Sequence, residues 1–210
     1  MKTLYLAAFL LPFFIPSGWG QTAIALINPS FEDMPRAGEA PSGWYDCGLP
    51  RETPPDVQPG SFGVDLEPYD GDTYLGLVVR DNETWEAVGQ KLKEALLKDS
   101  VYELSIYLAR SELYLSTSKL TGQEANYATP VMLQVWGGTG YCQKEELLAV
   151  SPLITHTDWK EYVLELKTFE KNKYDYLTLE AYYRKPVAFP YNGNLLLDNC
   201  SLTKKSGAGK

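Results

Sequence analysis

The chain has 210 residues and a formal net charge of −8 at neutral pH, with 15 Tyr, 5 Trp and a single His. An acidic surface argues against nucleic acid as a partner, because phosphate binding needs clustered Lys and Arg. Acidic residues among many aromatic ones point instead to a domain that contacts neutral ligands or calcium.

The first twenty residues, MKTLYLAAFLLPFFIPSGWG, combine Lys2, an apolar run from Leu4 to Ile15 and the small residues Gly18 and Gly20. This is the pattern of a secretory signal peptide, with cleavage expected after Gly20. The run is short for a bilayer, and Pro12 and Pro16 interrupt it. Export to the periplasm, the cell surface or the medium is expected, with no transmembrane segment after cleavage. The remaining chain, about 190 residues, is enough for one sizeable core, here residues 21–203. Residues 204–210 (KKSGAGK) form a polar tail expected to be disordered.

Export makes a disulfide plausible, and there are three cysteines. Cys200 lies at an inward position of an apolar strand and is expected to stay free. Cys47 and Cys142 sit in loop-like, Gly-rich surroundings and are the preferred pair.

Strand patterns dominate the chain. Residues 101–110 alternate, with Tyr102, Leu104, Ile106 and Leu108 opposite Glu103, Ser105 and Tyr107. Residues 131–136 place Val131, Leu133 and Val135 opposite Gln134 and Trp136. Leu177, Leu179, Ala181 and Tyr183 oppose Thr178, Glu180 and Tyr182. Residues 195–202 (LLLDNCSL) close the domain, and turn signals such as Asp70-Gly71 and Asn192-Gly193 separate the runs. Short strands without long intervening helices suggest an all-β sandwich. Residues 85–97 fit either a helix or a strand: Trp85, Val88 and Leu92 have helical spacing, yet Gly89 sits in the middle. Two long segments, 35–63 and 111–130, read as irregular loops, and loops of that length in a compact domain are often functional.

Two ends of the chain carry a resemblance. LINPSFE (Leu26–Glu32) followed by Trp44 resembles the opening "N-x-x-F-E … W" of the galactose-binding-like jelly rolls, which include carbohydrate-binding modules attached to xylanases and glucanases. LLLDNCSL resembles their closing strand. Between them, residues 70–74, 97–105 and 159–162 resemble further strands of the same fold, so the likeness spans nearly the whole chain after residue 20. Asp99-Ser100 replaces a usual Gly, Cys200 replaces a usual Val, and the two long loops exceed those of the simplest modules. The resemblance implies a two-sheet jelly-roll β-sandwich and favours strand over helix for residues 86–92. It also implies a structural calcium, held by Glu32 and Asp198 with help from Asp70 or Asp72, since calcium favours several hard oxygens.

The expected ligand site is an aromatic and polar sheet face carrying Tyr107, Gln134, Trp136, Glu180 and Tyr182, with Arg80, Glu86 and Arg110 lining it. Rings stack on sugar faces while carboxylates, amides and Arg take the hydroxyls. No catalytic motif appears, and the lone His156 lies in a turn. The expectation is thus a non-catalytic exported module that binds carbohydrate. The alternatives are a structural or protein-interaction module of the bacterial cell envelope with no sugar ligand, and a small glycan-active enzyme.

Overall fold

The computed structural model describes residues 22–183 and 187–205. The expected signal peptide therefore lies outside the described residues. Thirteen strands occur among them: β1 (Thr22–Ile24), β2 (Tyr45–Asp46), β3 (Asp56–Gln58), β4 (Tyr74–Val79), β5 (Ala87–Leu97), β6 (Val101–Ala109), β7 (Leu115–Thr117), β8 (Glu124–Asn126), β9 (Met132–Gly138), β10 (Glu146–Val150), β11 (Lys160–Lys167), β12 (Lys173–Tyr182) and β13 (Gly193–Lys204). No helix forms among the described residues. Strand β13 runs to Lys204, and the Lys205 N–H donates to the Val101 carbonyl. The chain is thus ordered two residues into the stretch expected to be a tail.

The strands build an antiparallel sandwich. The first sheet has the order β11-β6-β13-β4-β3, with β1 also pairing β13. The second has the order β10-β9-β12-β5-β2. The hairpin β7–β8 forms a separate two-stranded sheet. The main core lies between the two large sheets and takes the alternating apolar sets identified above, including Leu177, Leu179 and Ala181 from β12, together with Leu75, Leu77 and Val79 from β4. In β13 both Leu197 and Cys200 face this core, although they stand three positions apart. A register shift between Asp198 and Ser201, with Asn199 at φ 40°, re-phases the strand.

Residues 87–97 adopt the strand option. Gly89 pairs with Tyr45 on one side and Thr178 on the other. A Cβ at Gly89 would come within 2.9 Å of Cys47 Sγ, so close backbone approach accounts for a glycine inside this strand. Cys47 and Cys142 are joined by a disulfide that ties the segment after β2 to the loop between β9 and β10, while Cys200 is free and buried.

The N-terminal motif has a clear physical basis. Asn28 adopts φ 48°, and its amide accepts from the Glu32 N–H and donates to the Glu32 and Ser42 carbonyls. That side chain closes the turn and drives Phe31 into the core, 5.0 Å from the Trp44 ring. The Trp44 indole N–H donates to the Asn28 carbonyl.

Candidate functional site

Strand β4 ends at Val79, and the chain turns back through Asp81–Thr84, with the Arg80 N–H donating to the Thr84 carbonyl. The Glu86 N–H then donates to the Val78 carbonyl of the first sheet, and the Ala181 N–H of the second sheet donates to the Glu86 carbonyl. Glu86 therefore stands where the chain crosses between sheets. Its carboxylate folds back to accept from the Val78 N–H and to pair with the Arg80 guanidinium. Both residues are buried, at 2 % exposure each.

This pair forms the floor of a cleft of about 390 Å3 on the outer side of the first sheet. One wall comes from residues 37–62, with Thr53, Pro54, Asp56 and Phe62. The other comes from the β7–β8 hairpin and its flanks, with Tyr114, Thr117, Lys119 and Tyr127. The two long segments of the sequence thus face each other across it. They are not structureless: β2 and β3 lie in the first, β7 and β8 in the second. Both pack on an apolar patch of the first sheet's outer face formed by Tyr74, Val78, Ala109 and Leu196. Buried Asn194 pins the second segment, donating to the Ser111 and Tyr127 carbonyls and accepting from the Ser111 N–H.

The polar groups of the cleft are already interlocked. Arg80 Nη2 donates to the Thr53 carbonyl and hydroxyl as well as to Glu86. Asp56 accepts from the Gly38 N–H and the Tyr114 hydroxyl. Burial pushes the Glu86 carboxyl well above the ordinary carboxylate range, opposed by the nearby Arg80 charge. Burial raises Asp56 as well, against the Tyr114 hydrogen bond, and lifts the Tyr114 phenol. At the rim, Lys119 pairs with Glu52 at 3.1 Å, and Asp81 accepts from the Ser118 hydroxyl and the Lys119 and Leu120 N–H groups. The turn Asp81–Thr84 therefore holds the hairpin tip over one end of the cleft.

The single face expected from sequence does not form. Strand β6 belongs to the first sheet and β9 and β12 to the second, so Tyr107 lies on the opposite side of the sandwich from Gln134, Trp136, Glu180 and Tyr182. Alternation assigns a side chain to a face of its strand but not to a sheet, and the jelly-roll crossover separates these strands. Tyr107 stacks on Tyr69 at 3.5 Å. On the second sheet Trp136 donates its indole N–H to Glu180, which also pairs with Lys144, and Tyr182 stacks on Trp85. Arg110 is a loop staple, donating to the Thr155 and Ala128 carbonyls. Of the expected ligand residues, only Arg80 and Glu86 line the cleft. They do so as a buried pair rather than as an exposed edge.

The carboxylates expected to hold calcium face N–H donors. Asp198 accepts from the Tyr69, Asp70 and Asn199 N–H groups. Glu32 accepts from the Asp72 and Thr73 N–H groups, and Asp70 from the Ser30 hydroxyl. Asp72 contributes its backbone, not its carboxylate. Among the described residues no group of three or more His, Cys, Asp or Glu is placed to share an ion. In this arrangement the side chains of Glu32 and Asp198 cap the turn at 69–73. His156, the only histidine, stacks on Tyr162 and bonds its hydroxyl at 2.9 Å.

Sequence reasoning did not single out Asp56, Phe62, Tyr114 or Tyr127 as site residues. The signal that could have found them was the pair of long segments itself, since all four lie within those segments.

No protein-family model matches the chain, and no curated protein matches it. Solved structures do share its shape. A cyclase from Fischerella sp. TAU aligns with a TM-score of 0.59 at 14 % identity, covering 90 % of this chain and 100 % of its own. The Stig cyclase Fisc from Fischerella sp. TAU, solved in complex with (3Z)-3-(1-methyl-2-pyrrolidinylidene)-3H-indole, aligns with a TM-score of 0.55 at 15 % identity and the same coverage. The CBM22-1 xylan-binding domain of Paenibacillus barcinonensis Xyn10C aligns with a TM-score of 0.52 at 18 % identity, covering 90 % of this chain and 99 % of its own. At these identities the likeness establishes the fold. It is the jelly roll of carbohydrate-binding modules, and cyclases are built on it too.

Proposed function

We propose that this chain is an exported carbohydrate-binding-module-like domain that holds a neutral glycan in the cleft above Arg80 and Glu86. The observation that carries this reading is the cleft itself: about 390 Å3, with aromatic side chains on its walls and internally compensated charge on its floor. Such a volume lies within the usual range for small-ligand sites and takes one or two sugar rings. Phe62 and Tyr114, stacked 5.2 Å apart, offer an apolar surface for a pyranose face. Neutral ligands are favoured because Arg80 is paired with Glu86 and Lys119 with Glu52. The Cys47–Cys142 disulfide supports export.

Affinity electrophoresis of residues 21–210 against a panel of plant and bacterial polysaccharides tests the reading. Retention on at least one neutral polysaccharide, lost in Phe62→Ala, is expected. Absence of retention on every gel would refute it.

A second reading is chemistry on a small molecule in the same cleft. It is favoured by the buried contact between the Tyr114 hydroxyl and Asp56, a protonatable pair beside apolar walls, and by the cyclases that share the fold. A turnover screen with indole-bearing substrates separates it from simple binding.

A further inference from the structure

The acceptors on the floor of the cleft are already engaged, while one donor there is not. Each oxygen of Asp56 already accepts, one from the Gly38 N–H at 2.6 Å and the other from Tyr114. Each oxygen of Glu86 does likewise, one from the Val78 N–H at 3.0 Å and the other from Arg80. The Thr53 carbonyl and hydroxyl both accept from Arg80 Nη2. By contrast, Arg80 Nη1 is buried with no hydrogen-bond partner among the described residues. A buried N–H on a charged group left without an acceptor is destabilising, and a ligand acceptor would relieve that.

This asymmetry constrains the ligand group that reaches the floor. A sugar hydroxyl both donates and accepts, and its hydrogen would meet only carboxylate oxygens that each already accept a bond. A carboxylate would bring a charge into a site whose cations are already paired and where Asp56 adds further negative charge. A neutral acyl carbonyl accepts only. Its methyl group would meet apolar lining, because Phe62, Pro54 and Val78 border the same cleft.

We propose that the cleft selects an acetylated sugar, with the acetyl carbonyl accepting from Arg80 Nη1 and the methyl group packed beside Phe62. The proposal rests on the glycan reading above and names the substituent that the site recognises.

The test compares paired ligands on the full protein by calorimetry. One pair is acetylated xylo-oligosaccharides and the same preparation after mild alkaline deacetylation. The other is an N-acetylglucosamine oligomer and its deacetylated counterpart. At least one acetylated form should bind about tenfold or more tightly than its partner, the value of one hydrogen bond to a charged donor. Arg80→Lys retains a cation for Glu86 but lacks Nη1, and should bring that ratio to about twofold or less. Its melting curve shows whether it folds. If it does not, Phe62→Ala, which removes the methyl's wall, carries the same expectation. Binding without discrimination in both pairs would overturn the proposal and leave the glycan reading standing. Binding of no member of either pair would overturn the proposal, and absence of retention on the wider panel as well would overturn the glycan reading.

Discussion

Arg80 and Glu86 stand six residues apart on either side of a tight turn and meet as a buried ion pair at the corner where the chain passes from one sheet to the other. The pair lies under the cleft and is tied into both sheets, so it acts on stability and on the site at once. Removing one partner leaves the other charge buried, which typically costs about 3–5 kcal/mol. Arg80→Ala or Glu86→Ala should therefore lose that much stability in urea unfolding. The double variant Arg80→Met/Glu86→Leu should recover most of it, because apolar replacement of both partners is often neutral. A single variant that loses under about 1 kcal/mol would show that water reaches the corner.

The disulfide between Cys47 and Cys142 closes a loop with a sequence separation of 95 residues. Chain-entropy reasoning assigns such a crosslink about 4.7 kcal/mol through the unfolded state. The double variant Cys47→Ser/Cys142→Ser should unfold at correspondingly lower denaturant. Glycan retention under native conditions should persist, since neither cysteine borders the cleft. Loss of retention in a variant that still folds would mean that the β2 segment positions the site.

Asp198 gives a pH signature. Burial raises its pKa to about 6, against three N–H donors that favour the charged form. A carboxyl with a raised folded-state pKa holds its proton more tightly when folded. The folded state then binds more protons than the unfolded one between about pH 4 and 6, so stability rises as pH falls through that window. Asp56 and Glu86 are also raised and act with the same sign. Asp33 acts oppositely: its bonds to Arg36 and Ser42 hold it far below the usual range, so its contribution is lost at lower pH. The difference between wild type and Asp198→Asn isolates the Asp198 share. Wild-type stability should gain more from pH 7 to pH 5 than that of the variant, as read by guanidinium unfolding at each pH. Equal gains would mean that the Asp198 pKa is ordinary.

Glu32 and Asp198 direct their oxygens at backbone N–H groups, which repel a cation. Neither EDTA nor millimolar calcium should shift the melting temperature. A calcium-dependent rise of several degrees would show that the 69–73 turn can invert to present carbonyls.

The strands were legible because alternation survives even where the long loops intervene. Leu75, Leu77 and Val79, and Leu177, Leu179 and Ala181, face the core as their spacing requires. The pairing of sheets was not legible. Tyr107 and Trp136 show the same outward periodicity, yet they stand on opposite sheets because long-range connections, rather than local pattern, set strand order. Asp56 and Tyr114 were hidden for a related reason: 58 residues separate them, and only the folding of both loops onto Tyr74 and Val78 brings them together.

The same separation yields the sharpest functional discrimination. Tyr107 is stacked with Tyr69 at one end of the first sheet's outer face, and Trp136 is tied to Glu180 on the second sheet. Neither borders the cleft. Tyr107→Ala and Trp136→Ala should therefore keep glycan affinity within about twofold of wild type, since a lost aromatic platform in a true sugar site costs about 1 kcal/mol or more. Phe62→Ala should lose tenfold or more on the same ligand, at about 1.4 kcal/mol per decade. Titration of all three variants with one retained polysaccharide decides between the cleft and the open faces. If Trp136→Ala falls and Phe62→Ala does not, the second sheet's outer face is the binding surface and the cleft is structural.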